Sequence, residues 1–336
     1  MPLSKIVANS ITDDTITTDQ IADTSVHGRR NIVQNGSYTV NQRGNISSSA
    51  TTISANTYII DRWYLRKQNT GSHSVTVLEN QTVTGLTGLH NVLKITEFHD
   101  SAWLGNFIEI ATHPFLSGQQ VTVSYYAKAD SAISTFKVFL HDNNDGGSHG
   151  NPYFTQTGTI STSWQRYSHT MTVGTLANDN AAGYLNLGFG QTDTDTAFYI
   201  TGVQFEIGSK ATPLENRSFD EELTLCQRYA WKLGGFGSDQ YFGAPWLYFD
   251  GNNIHNGPFF NPVQMRAAPS LTQYGNPILK NNGGAQSGFS FSMQGGGKAQ
   301  CFSIQGAKTS HGLSNVPTVC LNSPTTSDFF LIDAEL

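Results

Sequence analysis

Short stretches in which apolar and polar residues alternate recur along the chain, and this period restricts the fold more than any other feature. Val121, Val123, Tyr125 and Ala127 alternate with their neighbours, as do Phe136, Val138 and Leu140. Side chains two apart on an extended chain point to the same face, so each stretch reads as a strand with one buried side. Further strand patterns cover residues 61–65, 75–77, 92–98, 107–111, 164–173, 184–189 and 198–207, and turns rich in Gly, Asn and Asp separate them. No helical pattern intervenes that could carry a crossover, so the strands must pair antiparallel, and their number predicts a two-sheet sandwich.

A single helix is predicted. Ser218 stands as its N-cap, with Glu221 three residues on to complete a capping box. Phe219, Leu223, Cys226, Ala230 and Leu233 form one apolar stripe, and Gly234-Gly235 is placed to end it. Just upstream, Val203, Phe205 and Ile207 alternate with Gln204 and Glu206, and Gly208, Ser209 and Pro213 end that strand. Strand patterns lie on both sides of the helix. A domain boundary is therefore expected near Arg217, giving residues 31–217 and 218–336, and 336 residues suffice for two cores.

Residues 1–30 differ from the rest. Ile6, Ile11, Ile16, Ile21 and Val26 recur every five residues among Thr, Asp, Ser and Gln. On a helix that step rotates the side chain by about 140°, and on a strand it reverses the face. Alone, such a segment buries almost nothing. It is expected to be an extended anchoring arm whose Ile6, Ile11, Ile16 and Ile21 fill sockets on a partner or pack against copies of themselves.

Only 13% of residues are charged and the net charge is -6. A nucleic-acid partner would need a clustered basic face, so none is expected. Cys226, Cys301 and Cys320 are odd in number and lack a framework spacing, and are expected as buried thiols. The first ten residues have no apolar core of a secretory signal, and no run approaches the roughly 18 apolar residues of a membrane helix. Synthesis in a reducing cytoplasm and no membrane insertion are therefore expected.

The segment HDNNDGGSHGNPY, residues 141–153, carries motif-like fragments. Ser148 lies in a GxSxG pattern, but that elbow requires a following helix, which Asn151-Pro152 forbids. Asp142, Asn144 and Asp145 do not continue into a calcium-loop frame, because Tyr153 occupies the place of the bidentate glutamate. His141 and His149 lack a third ligand, and Asp193 and Asp195 read as a solvated loop. No cofactor is expected; the pattern identifies no ligands for a structural calcium. Glycan hydrolysis needs two carboxylates about 5–10 Å apart. The scattered Asp and Glu residues offer no such pair, so no enzymatic activity is expected.

Five segments occur in order: NIVQNGSYTVNQRG, YIIDRWYL, VTVSYYAKAD, STSWQRYSHTMTV and FYITGVQFEIGSKATPLENRS, followed by CQRYAWKL. Together they resemble the carbohydrate-binding-module type of jelly roll in bacteriophage tail-fibre and related virion proteins. ITTDQIADTSV is similar to repeats near the N-termini of phage fibres, and QMRAAP with the terminal FFLIDAEL resembles the end domain that follows CQRY in many of them. The resemblance implies an all-β fold: an antiparallel jelly-roll sandwich, one linking helix, and a second, smaller β domain. It implies a virion component assembled in the host cytoplasm and acting outside the cell, a homotrimer, and host-surface glycans as partners. Capsid decoration without a receptor role is the alternative. For glycan contact, Trp63 and Trp164 lie in strand patterns and are expected in the core. Trp103, in the turn-like HDSAWLGN, and Tyr126, out of phase with Val123 and Tyr125, are the surface candidates.

Overall fold

The computed structural model describes residues 29–44, 46, 48–66, 73–96, 102–143, 152–176, 183–190, 196–242, 247–250, 252–281, 284–294, 299–309 and 320–335. Ile6, Ile11, Ile16 and Ile21 lie outside them, as do Ser148, His149, Asp193 and Asp195. Twelve strands come first: β1 (Thr51–Ile53), β2 (Thr57–Ile60), β3 (Trp63–Arg66), β4 (His73–Thr82), β5 (Leu89–Thr96), β6 (Trp103–Glu109), β7 (Gln120–Ala129), β8 (Ile133–Asn143), β9 (Pro152–Ile160), β10 (Gln165–Thr172), β11 (Tyr184–Gly190) and β12 (Phe198–Ile207). They form two six-stranded antiparallel sheets, ordered β1-β4-β5-β12-β7-β10 and β2-β3-β6-β11-β8-β9, a jelly-roll sandwich.

The alternation read from the sequence fills the space between the sheets. Val121, Val123, Tyr125 and Ala127 from β7 meet Phe136, Val138 and Leu140 from β8, together with Trp63, Leu187, Phe189 and Phe205. Each fully buried side chain of this size contributes roughly 1.5–3 kcal/mol. Trp63 is fully buried, and its Nε1 donates to the Asn35 carbonyl at 2.8 Å.

The outer face of the first sheet is also covered, which period-two alternation does not reveal. Gln204 and Glu206 point away from the core yet are buried. The segment after β12 folds back over them. Gln204 Nε2 donates to Glu206 Oε1 at 2.7 Å, Thr212 N donates to Glu206 Oε1 at 2.9 Å, and Glu215 N donates to Gln204 Oε1 at 2.7 Å. Ile207, expected to face inward with Val203 and Phe205, is instead 47% exposed at the strand end.

Helix α1 (Phe219–Gln227) begins as expected, with the Ser218 hydroxyl accepting from Glu221 N. It ends earlier than the apolar stripe suggested. Ala230–Gly234 is strand β13, because Trp231 and Leu233 enter a sheet-built core while Ala230 takes the other face. Spacings of 4, 3, 4 and 3 cannot separate a helix from a helix followed by an alternating strand. Ten strands follow: β14 (Gln240–Tyr241), β15 (Leu247–Asp250), β16 (Asn253–Phe260), β17 (Ser270–Tyr274), β18 (Ile278–Asn281), β19 (Gly284–Gln286), β20 (Ser290–Gln294), β21 (Cys301–Ala307), β22 (Cys320–Ser323) and β23 (Phe329–Asp333). They complete three smaller antiparallel sheets, and β23 lies at the centre of one, between β13 and β17. Cys226 is buried, whereas Cys301 is only half-buried; both are free thiols.

Ion pairs join the two β regions. Arg62 meets Glu335, Arg43 meets Asp333 at 2.7 Å and Glu335 at 3.2 Å, and Arg228 meets Glu109 at 2.9 Å. Gln42 Nε2 bridges Asp61 Oδ1 at 2.8 Å and the Ala230 carbonyl at 2.9 Å.

Candidate functional site: an aromatic face on the second sheet

The outward side chains of the second sheet are largely aromatic. Tyr64 alternates with Trp63 and Leu65 on β3, and Trp103 and Phe107 with Leu104 and Ile108 on β6. Phe139 alternates with Val138 and Leu140 on β8, and Tyr184 precedes the inward Leu185 on β11. The register brings them together. Tyr64 is opposite Gly105, Gly105 opposite Gly188, and Gly188 opposite Phe139, so one row across four strands has two rings flanking two glycines. The neighbouring row runs Arg66, Trp103, Gly190, Lys137.

The glycines let the rings lie down. A Cβ on Gly105 would stand 2.3 Å from Trp103 Cζ3, and one on Gly188 would stand 2.0 Å from Phe139 Cζ. Glycine inside a strand here serves close approach of a side chain to the backbone. Phe107 is the hub. Its ring centroid lies 4.8 Å from Tyr184, 5.6 Å from Tyr64, 6.1 Å from Trp103 and 6.2 Å from Tyr58, mostly edge-to-face. Such pairs contribute about 0.5–1.5 kcal/mol each beyond burial and fix ring orientation. Phe107 is buried by its neighbours, whereas Tyr64, Trp103, Phe139 and Tyr184 stay half-exposed.

The polar groups of this face are few. Arg66 lies 5.9 Å from the Trp103 ring, and the His141 ring packs 4.7 Å from Phe139. Asn186 is buried between Phe107 and His141 in the register, and its Oδ1 has no hydrogen-bond partner. Burial pushes the Tyr64 phenol above its usual pKa, so it remains a neutral donor at physiological pH. At the far end, the Glu109 carboxylate beside Tyr184 is held by Arg228. Half-exposed rings held flat offer π faces to a flat ligand with apolar C–H bonds on one side and hydroxyls at its rim, which describes a pyranose ring.

The two surface candidates fare differently. Trp103 lies in this face, but in strand β6 rather than in a turn. Tyr126 does point outward from the first sheet. It is nevertheless 6% exposed, because Val83, Leu86 and Tyr199 cover it and its hydroxyl donates to the Gly85 carbonyl at 3.2 Å. Trp164 is not in the sandwich core; it packs on the same outer patch, 6.5 Å from Tyr199. His141 belongs to β8 rather than to a loop. Tyr64, Phe107, Phe139 and Tyr184 were missed as site residues, although each is an aromatic in outward phase and Gly105 and Gly188 interrupt strand patterns. Among the described residues, no group of three His, Cys, Asp or Glu side chains is placed to hold a metal, and no helix is long and apolar enough to cross a membrane.

Residues 58–196 match a family described as a carbohydrate binding domain, and this span contains the whole aromatic face. No curated protein matches the chain. Similar solved structures include one titled for the structure and function of CBM4, 20% identical, covering 52% of this chain and 99% of that one, with TM-score 0.31. Another is the xylan-binding CBM22-1 domain of Paenibacillus barcinonensis Xyn10C, 14% identical, covering 49% and 99%, with TM-score 0.32. A third is the enzymatically active domain of bacteriophage CBA120 tailspike protein 4, 14% identical, with TM-score 0.34; the match covers 53% of this chain and 21% of that one.

Proposed function

We propose that the chain is a non-catalytic, glycan-binding tail fibre of a bacteriophage, and that Trp103, Tyr64, Phe139 and Tyr184 form its sugar-contacting surface. The observation that carries the glycan reading is the set of half-exposed rings held flat over Gly105 and Gly188, within the span matched by the carbohydrate binding domain family. The virion reading is supported by the fibre-like motifs of the sequence, from ITTDQIADTSV to FFLIDAEL. In this reading residues 1–30 anchor the protein to other virion proteins through Ile6, Ile11, Ile16 and Ile21, residues 31–217 hold the glycan, and residues 218–336 form the end domain of a homotrimer. The second reading, capsid decoration, rests on the same motifs and differs only in location.

The test is an array of host-surface and bacterial polysaccharides probed with the wild-type protein and with Trp103→Ala. Binding by the wild type that falls at least tenfold in the variant supports the reading; equal binding by both removes the aromatic face from it. Immunogold labelling of particles separates tail from capsid, and sedimentation equilibrium tests the trimer.

A further inference from the structure

A second concavity lies away from the aromatic face. Four segments meet there: residues 37–39 of the irregular start of the jelly roll, Asn80 at the β4 bulge, residues 89–91 at the start of β5, and residues 215–217 of the segment leading to α1. The volume of this open cleft is about 290 Å³. Sites for drug-sized molecules run from roughly 300 to 1,000 Å³, so this one suits a single ring rather than an extended chain.

Its floor is preformed and its charges are already committed. Arg217 Nε meets Glu215 Oε1 at 2.9 Å, and its Nη1 meets Glu222 Oε1 at 3.3 Å and the Val33 carbonyl at 3.2 Å. The Glu215 carboxylate also accepts from the Asn31 backbone N–H at 2.8 Å. Asn91 Nδ2 is held by the Tyr38 carbonyl at 3.1 Å, which fixes the opposite wall. Two carboxylates against one guanidinium leave the floor no spare positive charge for an anion, and the His90 ring, which also lines the cleft, has Nε2 3.0 Å from the Thr87 carbonyl. The rim is different. Among the described residues, the Ser37 and Thr39 hydroxyls and the side-chain amides of Asn80 and Asn216 make no hydrogen bond within the chain, whereas the Asn80 backbone N–H donates to Asn91 Oδ1 at 3.4 Å. Leu89 stands beside them, 64% exposed. Asn80 holds a positive φ of 55° at the β4 bulge, a conformation asparagine tolerates.

We infer that this cleft is a second binding site, for one neutral sugar ring, in which Ser37, Thr39, Asn80 and Asn216 meet hydroxyls and Leu89 packs on a C–H face. It is independent of the aromatic face, since none of its residues belongs to the second sheet.

The experiment titrates methyl glycosides of glucose, galactose, mannose and N-acetylglucosamine, with glucuronate and N-acetylneuraminate as charged counterparts, by ligand-observed NMR and calorimetry. The proteins are full-length wild type, Trp103→Ala, Trp103→Ala with Asn80→Gly and Asn216→Ala, and Trp103→Ala with Leu89→Asp. Asn80, Asn216 and Leu89 are exposed, and glycine takes the positive φ of position 80 without strain, so the variants should melt with their Trp103→Ala parent. The expected result is saturable binding of at least one neutral glycoside that survives Trp103→Ala and weakens at least tenfold in both further variants. The inference is overturned if no neutral glycoside saturates the Trp103→Ala protein, if the further variants bind as it does, or if the acidic sugars bind the cleft more tightly. Loss of all binding on Trp103→Ala alone would leave the aromatic face standing and remove the cleft.

Discussion

The guanidinium of Arg62 lies 3.4 Å from the centre of the Tyr229 ring, so a charge from the jelly roll is capped by an aromatic from the turn after α1. Both side chains are almost fully buried. Arg62 takes a positive φ of 68° at the tight turn between β2 and β3, which aims its side chain across the junction. There it ties together Gln34 Oε1 at 2.8 Å, the Phe107 carbonyl and the Glu335 carboxylate. Phe107 is the hub of the aromatic face, so the same guanidinium braces the second sheet and the far end of the chain.

Removing one partner of a buried pair leaves the other charge uncompensated, at a cost of about 3–5 kcal/mol. Glu335→Gln should therefore lower the urea midpoint markedly, with the three smaller sheets unfolding ahead of the sandwich. Arg62→Lys should do nearly as much, because an ammonium lacks the planar fork that serves three acceptors while stacking. A single transition at the wild-type midpoint in both variants would refute the clasp.

Asp61 supplies a pH dependence of unusual sign. Burial is the leading cause that raises its pKa from 3.8 to about 6, against the opposing pull of Arg43 and Gln42. The folded state therefore holds a proton that the unfolded chain has released between those values. Stability from this group is greatest below pH 4 and declines as the pH rises through 6. Linkage gives about 2 kcal/mol between pH 4.5 and 7 for such a shift. The stability difference between wild type and Asp61→Asn should be larger at pH 4.5 than at pH 7, read by urea unfolding at both. A constant or reversed difference would show that Asp61 is not protonated early in the folded state.

Two glycines separate stability from binding. A Cβ on Gly36 would stand 2.1 Å from the Val203 carbonyl oxygen, a backbone atom that cannot swing aside. Gly36→Ala should destabilise the fold by about 3 kcal/mol or more. The three atoms nearest a Cβ on Gly188 all belong to the Phe139 ring, a side chain that can rotate outward. Gly188→Ala should cost about 1–3 kcal/mol while lifting the ring from the sheet. Its glycan affinity and near-ultraviolet circular dichroism should change more than its melting temperature does, and the opposite ranking would discredit the flat-ring geometry.

How much of this was legible in the sequence differs by scale. Alternation at Val121–Ala127 gives the strand and its inner face, because the pleat has a period of two whatever the neighbours are. It does not give neighbours. Tyr64, Trp103, Phe139 and Tyr184 come from strands adjacent in the order β3-β6-β11-β8, which hydrogen-bond register sets and local pattern does not. Nor does alternation distinguish outward from exposed. Tyr126, Gln204 and Glu206 all face outward and are all buried, because the loop between β4 and β5 covers Tyr126 and the segment just after β12 folds back over Gln204 and Glu206. The early end of α1 was hidden for a related reason: beyond Arg228, the spacing of Ala230 and Leu233 suits a helix, and only the pairing of β13 with β23 decides for strand.

Residues 1–30 are proposed to anchor the protein to the particle. The described chain is first tied down at Arg29, which pairs with Glu221, and at Arg30 and Asn31, whose backbone N–H groups donate to Glu215. Deleting residues 1–28 leaves these ties in place, whereas a cut after residue 30 would remove two of them. The shorter deletion should change stability by no more than about 0.5 kcal/mol. It should abolish incorporation into particles. Each isoleucine peg contributes roughly 1.5–3 kcal/mol when buried. Ordering the five residues of its repeat costs about 5–10 kcal/mol in backbone entropy, so pegs alone do not hold the arm. Backbone pairing with the partner, or three arms acting together, must supply the rest. Single substitutions such as Ile11→Asp should then weaken loading in a graded way, while the complete deletion eliminates it. Normal occupancy of particles by the truncated protein, measured by quantitative immunoblot of purified virions, would place the anchor elsewhere in the chain.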